Sequence, residues 1–117
     1  MTTTVFNIIP SKYAEATQTV QYTVSSPQNQ TVRVPIDVFT VSNTSGSAAT
    51  FSCSLVDEGD SADNSNQVLP PVEIQPGETY LCPELVGQVL EDGAFISTLA
   101  SAASALVIRA SGRLITT

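Results

Sequence analysis

Residues 49 to 55 read ATFSCSL, and this stretch decides the fold. Ala49, Phe51, Cys53 and Leu55 alternate with Thr50, Ser52 and Ser54, a period of two with one apolar and one polar face. A strand wet on one side and buried on the other belongs to an antiparallel sheet.

Upstream, NTSGS (43 to 47) supplies a tight turn, and before it residues 31 to 43 read TVRVPIDVFTVSN. Val32 and Val34 share one face, but after Pro35 the apolar phase moves to Phe39 and Val41. A proline cannot donate to a sheet ladder, so Pro35 predicts a bulge, an edge or a bend between sheets. QTVQYTV (18 to 24) alternates again, and SSPQNQ turns the chain on Pro27 and Asn29. A first apolar run, Thr3 to Ile9, stops at Pro10.

Downstream, DEGDSADNSNQ (57 to 67) predicts a solvated loop. Val72 and Ile74 resume the alternation, and PGET (76 to 79) turns the chain. CPELVGQVLEDG (82 to 93) is the one candidate helix, with Leu85, Val86, Val89 and Leu90 on one side; its Gly87 and shortness predict a single turn. Ala94 to Ala100 and Ala105 to Ala110 read as a hairpin-like pair, and RLIT closes the last strand. The expectation is one all-β domain over residues 1–117, an antiparallel, jelly-roll-like β-sandwich of seven or eight short strands with at most one short helical turn. Its core is drawn from Phe39, Val41, Phe51, Cys53, Leu55, Ile74, Leu90, Ile96, Leu106 and Ile108.

Composition narrows the chemistry. The chain has 117 residues, 42% hydrophobic and 13% charged, which suits a packed core and not a disordered chain. With no histidine, Ser-His-Asp and Cys-His catalysis and imidazole-bound zinc are excluded. Four Lys and Arg against 11 Asp and Glu give a net charge of −7, which argues against nucleic acid and against a polybasic membrane patch. It leaves a basic protein surface as a candidate partner. No apolar run approaches the ~20 residues of a spanning helix. The opening MTTTVFNIIP has no secretory pattern, which predicts folding in a cytosol. There, Cys53 and Cys82 are expected as reduced, buried thiols, with a disulfide as the lesser alternative.

The candidate sites are weak. Asp57, Glu58, Asp60 and Asp63 lack the ligand spacing of a calcium loop, so no metal is expected. Glu73, Glu78, Glu84 and Glu91 sit beside polar or turn residues rather than in the apolar pocket a glycosidase acid needs. No nucleophile, base and orienter come together, so neither an enzyme nor a cofactor is expected. Asn29 and Asn43 open glycosylation sequons but read more simply as turn residues, and Arg109 reads as a surface residue with an acidic neighbour as its candidate partner. Sugar stacking would fall to exposed aromatics such as Tyr13 or Tyr80, in a chain without tryptophan.

Four segments, Val41 to Ser45, Ile74 to Thr79, Val89 to Ile96 and Ile108 to Gly112, carry an Asn-Thr-Ser turn, an I-x-PGET turn, a VL-x-x-G-x-I step and a strand closing in SG. In these, residues 37 to 116 resemble small β-sandwich structural proteins of tailed bacteriophage virions. The resemblance implies a non-enzymatic virion protein, assembled in the host cytoplasm, whose partners are the major capsid protein or other virion proteins and further copies of itself. Capsid decoration, a cement protein on the outer shell, is the role expected. A tail, neck or fibre-attachment component and a host-glycan-binding module are the alternatives. Residues 1–10 lie outside the resemblance, and their Phe6, Ile8 and Ile9 form a candidate strand-exchange or docking arm and assembly interface. Completion of the chain's own sandwich by the same strand is the competing expectation.

Overall fold

In the computed structural model, which describes residues 2–26 and 30–117, the chain is all strand and turn. The strands are β1 (Thr2–Tyr13), β2 (Thr19–Thr23), β3 (Val32–Asn43), β4 (Ala49–Val56), β5 (Leu69–Ile74), β6 (Thr79–Tyr80), β7 (Val89–Leu90), β8 (Phe95–Ala100) and β9 (Leu106–Thr116). They form two antiparallel sheets packed as a β-sandwich. The first has the order β1-β9-β3-β6, with β7 also on β3, and the second β2-β8-β4-β5. β6 and β7 lie along one edge of β3 as a single strand interrupted by residues 81–88.

The topology is that of one long hairpin rolled up. β4 pairs β5, β3 pairs β6 and β7, β2 pairs β8, and β1 pairs β9, nested about the acidic 57–67 loop at the tip. Rolling adds the β3–β9 and β4–β8 pairings and closes the jelly roll. The predicted hairpin of residues 94–100 and 105–110 is thereby corrected: β8 and β9 are consecutive but lie in different sheets.

Between the sheets lies one apolar core. Phe39, Val41, Phe51, Cys53, Ile74, Leu90, Ile96, Leu106 and Ile108 are buried as expected, and Leu55 packs half-buried against them. The Phe39 and Phe51 rings face across the sheets at 6.1 Å and 47°. Such a tilted pair adds about 0.5–1.5 kcal/mol to simple burial.

The phase shift in β3 comes from a bulge. Val32, Val34 and Ile36 point inward, Asp37 and Val38 are both exposed, and Phe39, Val41 and Asn43 point inward again. Its partner register slips between Ile36 and Val38, two residues beyond Pro35. Pro35 sits where β7 crosses, and the next N–H, from Ile36, bonds the Gln88 carbonyl at 2.8 Å. β1 does not stop at Pro10. It is an edge strand, where a residue without an N–H costs little, and two register shifts carry it on to Tyr13.

Residues 82–88 make turns and no helix. Leu85 donates to the Cys82 carbonyl at 2.9 Å, and Gly87, at φ 90, breaks the run. Leu85 and Leu90 are buried while Val86 and Val89 are exposed, so the predicted common side is corrected. The SSPQNQ turn, with Pro27 and Asn29, falls outside the described residues apart from its ends.

Candidate functional site

Strand alternation sends every second residue of β3 and β9 away from the core, and pairing lays those residues side by side. On this outer face Arg33 stands opposite Ile115, Val38 opposite Ser111, Thr40 opposite Arg109, and Val5 of β1 opposite Arg113. Arg33, Arg109 and Arg113 thus bring three of the chain's four basic residues to one sheet face.

Their partners differ. Arg113 forks onto Asp37, Nε to Oδ2 at 3.1 Å and Nη2 to Oδ1 at 3.2 Å. Arg33 pairs with Glu91 at 3.3 Å. Arg109 meets no carboxylate: it donates to Ser11 Oγ at 2.9 Å and to Asn7 Oδ1 at 3.4 Å. The expected acidic neighbour of Arg109 is thus replaced by two neutral acceptors from β1. Beside Arg33 an open cavity of about 390 Å³ is lined by Thr31, Arg33, Ile115 and Thr117. This surface offers apolar contact and hydrogen-bond donors.

Phe6, Ile8 and Ile9 occupy a different place from a free arm. Ile8 and Ile9 are buried in this chain's own core, and Phe6 packs on Tyr22 of β2 at 5.8 Å. β1 pairs β9 of the same chain, so the strand completes its own sandwich here. The reason is local: a bulge beside Ile9 turns both isoleucines inward, while Val5 stays 77% exposed.

The other candidate residues are scattered. Glu78 accepts from the Gln75 N–H at 3.1 Å and Glu73 from Gln75 Nε2 at 2.6 Å, both on the surface. Tyr80 Oη donates to Glu84, 2.7 Å from each carboxylate oxygen. That carboxylate first, and burial second, push the Tyr80 phenol up to about 12. Tyr13 is half exposed. In the acidic loop Asp63 Oδ1 accepts from the Ser65 N–H at 2.8 Å and from Ser65 Oγ at 2.5 Å, an Asx turn whose donors hold its carboxyl below the ordinary range. Among the described residues no three His, Cys, Asp or Glu side chains gather as a metal site would need.

Cys53 and Cys82 are both buried and unbonded. Burial raises both thiols, Cys82 to about 12 with Glu84 adding to it, and Cys53 with Cys82 adding to it. Asn43 is 1% exposed, with both amide hydrogens engaged, and has no room for a glycan. Asn29 lies outside the described residues.

The arginine face escapes a linear reading because residues 33 and 109 are joined only by the β3–β9 pairing. The one sequence signal is the even spacing of Arg109 and Arg113 on a single strand. By its fold the chain is an antiparallel two-sheet β-sandwich. No protein-family model, no curated protein and no solved structure matches it.

Proposed function

We propose that this chain is a non-enzymatic structural protein of a tailed-bacteriophage virion, and within it a capsid-decoration protein that binds the outer shell in many copies. Its support is the resemblance of its turns and strands, together with the place those segments take in the fold. Val41–Ser45 and Ile74–Thr79 meet at Asn43, whose N–H donates to the Glu78 carbonyl at 2.9 Å and whose carbonyl accepts from Gly77 at 2.8 Å. Gly112, at the end of the fourth segment, lets β9 pass close to Pro35. The residues that carry the resemblance therefore build the sandwich, which fits a protein whose use is its shape and surface.

A stable, acidic sandwich suits many modest contacts whose sum is strong by avidity, and its charge keeps it off packaged DNA. The partners in this reading are the major capsid protein and further copies of the chain. Counting copies in purified particles tests it. Hundreds per particle, with shells that open more easily in heat or low salt when the protein is absent, are expected. A dozen or fewer would move the protein to the tail or neck.

A further inference from the structure

We propose that the outer edge of β1, over Thr2–Asn7, pairs edge to edge with the same segment of a second copy, antiparallel about a two-fold axis. An edge strand presents unpaired N–H and C=O groups, and proteins that stay monomeric blunt such edges with prolines, charges, bulges or cover. The described edges of this sandwich differ sharply in that respect. β5, at one end of the second sheet, carries Pro70, Pro71 and Glu73. β2, at its other end, has five residues and a register shift between Val20 and Tyr22. The far edge of β3 is broken up by β6 and β7, two residues each, which pair only with Val34, Pro35, Val41 and Ser42. The second half of β1 has its own protection in two register shifts, Pro10 and Lys12.

Thr2–Asn7 has none of these. It pairs residue for residue with Thr116 to Ser111 without a shift, and holds neither charge nor proline. Every second residue turns its backbone groups away from β9, toward whatever lies beyond. Val5, 77% exposed, stands in the middle of this segment, and Val20, 53% exposed, is on the neighbouring edge strand of the second sheet.

Charge selects a second copy as the occupant. A chain of net charge −7 repels its own copies, unless they approach by a side that lacks carboxylates. β1, β9, β2 and β8 form that half of both sheets and contain no Asp or Glu. Nearby, Glu15 is paired with Lys12 at 3.0 Å, and nine of the 11 acidic residues lie between Asp57 and Asp92. A two-fold axis also closes both open edges at once, since the same patch serves each partner. The two four-strand paths of the first sheet become one continuous sheet across the pair. This deepens the proposal of a multi-copy structural protein by naming the contact between copies.

Sedimentation equilibrium of the full chain over a range of concentrations tests it, with circular dichroism confirming the fold of each variant. The wild type is expected to dimerise. Thr3→Lys with Val5→Lys, both on the exposed side of β1, apposes like charges across the pair and is expected to weaken the dimer about tenfold or more. Val89→Lys, on the opposite edge, is expected to leave the equilibrium unchanged. Hydrogen exchange of Thr2–Asn7 should show alternate amides gaining protection as concentration rises. A wild type that stays monomeric at millimolar concentration overturns the edge pairing, while the virion role is decided separately by copy number. A dimer untouched by the double lysine variant, or one dissociated by Val89→Lys, overturns it as well.

Discussion

The side-chain amide of Asn43 donates to the carbonyl of Ile74 at 2.8 Å, joining the end of β3 in one sheet to the end of β5 in the other. Its second amide hydrogen goes to the Ser47 carbonyl at 2.8 Å, and its Oδ1 accepts from the Ser45 N–H at 2.9 Å and the Ser45 hydroxyl at 2.7 Å. One buried polar side chain thus shapes the β3–β4 turn and ties it across the core.

Replacing Asn43 removes all of these bonds: the buried Ile74 carbonyl loses this donor and the Ser45 N–H its acceptor, while the exposed Ser47 carbonyl keeps the Ser45 hydroxyl at 2.9 Å. Asn43→Ala is expected to lose about 2–4 kcal/mol, since each buried group left unpaired costs about 1–3 kcal/mol. Urea unfolding with an unchanged slope would measure it. A loss comparable to that of an exposed turn residue would show that the tie between the sheets carries little of the stability.

Gly112 is needed for space. A Cβ there would lie 2.2 Å from the Pro35 carbonyl oxygen and 2.7 Å from Ile8 Cδ1. The first obstacle is backbone within paired strands and cannot step aside, so Gly112→Ala is expected to cost about 2–3 kcal/mol through overpacking. Gly46→Ala, where a Cβ meets nothing within 4 Å, is the matched control and should change stability by less than about 0.5 kcal/mol. Equal melting temperatures for the two variants would contradict the packing argument.

Buried thiols with raised pKa values hold little thiolate, the reactive form. In the native protein Cys53 and Cys82 are expected to resist a thiol reagent at neutral pH and to react together once denaturant unfolds the chain. Rapid labelling of either one in the native state would mean that the core around it opens.

Stability should have an alkaline limb. The Cys82 thiol moves from 9.0 up to about 12 on folding, the Tyr80 phenol from 10.0 up to about 12, and the Cys53 thiol is raised too. A folded-state pKa above the unfolded one contributes stability below the unfolded value, lost as pH climbs to the folded value. Thermal melts at constant ionic strength should therefore be level just below pH 9 and fall progressively from about pH 9 to 12. Cys82→Ala should flatten part of that fall. A melting temperature that holds to pH 12 would show that these groups are not shielded as the fold implies.

What the sequence determined by itself was local. Period-two alternation named Ala49, Phe51 and Cys53 of β4, most of the core and the all-β class, because burial follows directly from which way each Cβ points along a strand. The face of β4 read as wet is corrected: Ser52 and Ser54 are buried as well, and Leu55 is half-buried. Turn chemistry located NTSGS and PGET, because Asn and Gly meet backbone demands within a few residues. Tertiary structure decided whatever depends on partners far along the chain. Rolling the long hairpin placed β8 and β9 in different sheets although they follow each other directly. A bulge near Ile9 sent Ile8 and Ile9 into the core, because a one-residue register shift reverses which face a strand buries. Pairing of β3 with β9 gathered Arg33, Arg109 and Arg113 on one face, across more than half the length of the chain. Alternation says only that a residue points out; which residues stand beside it there is set by register, and register is a property of two strands together.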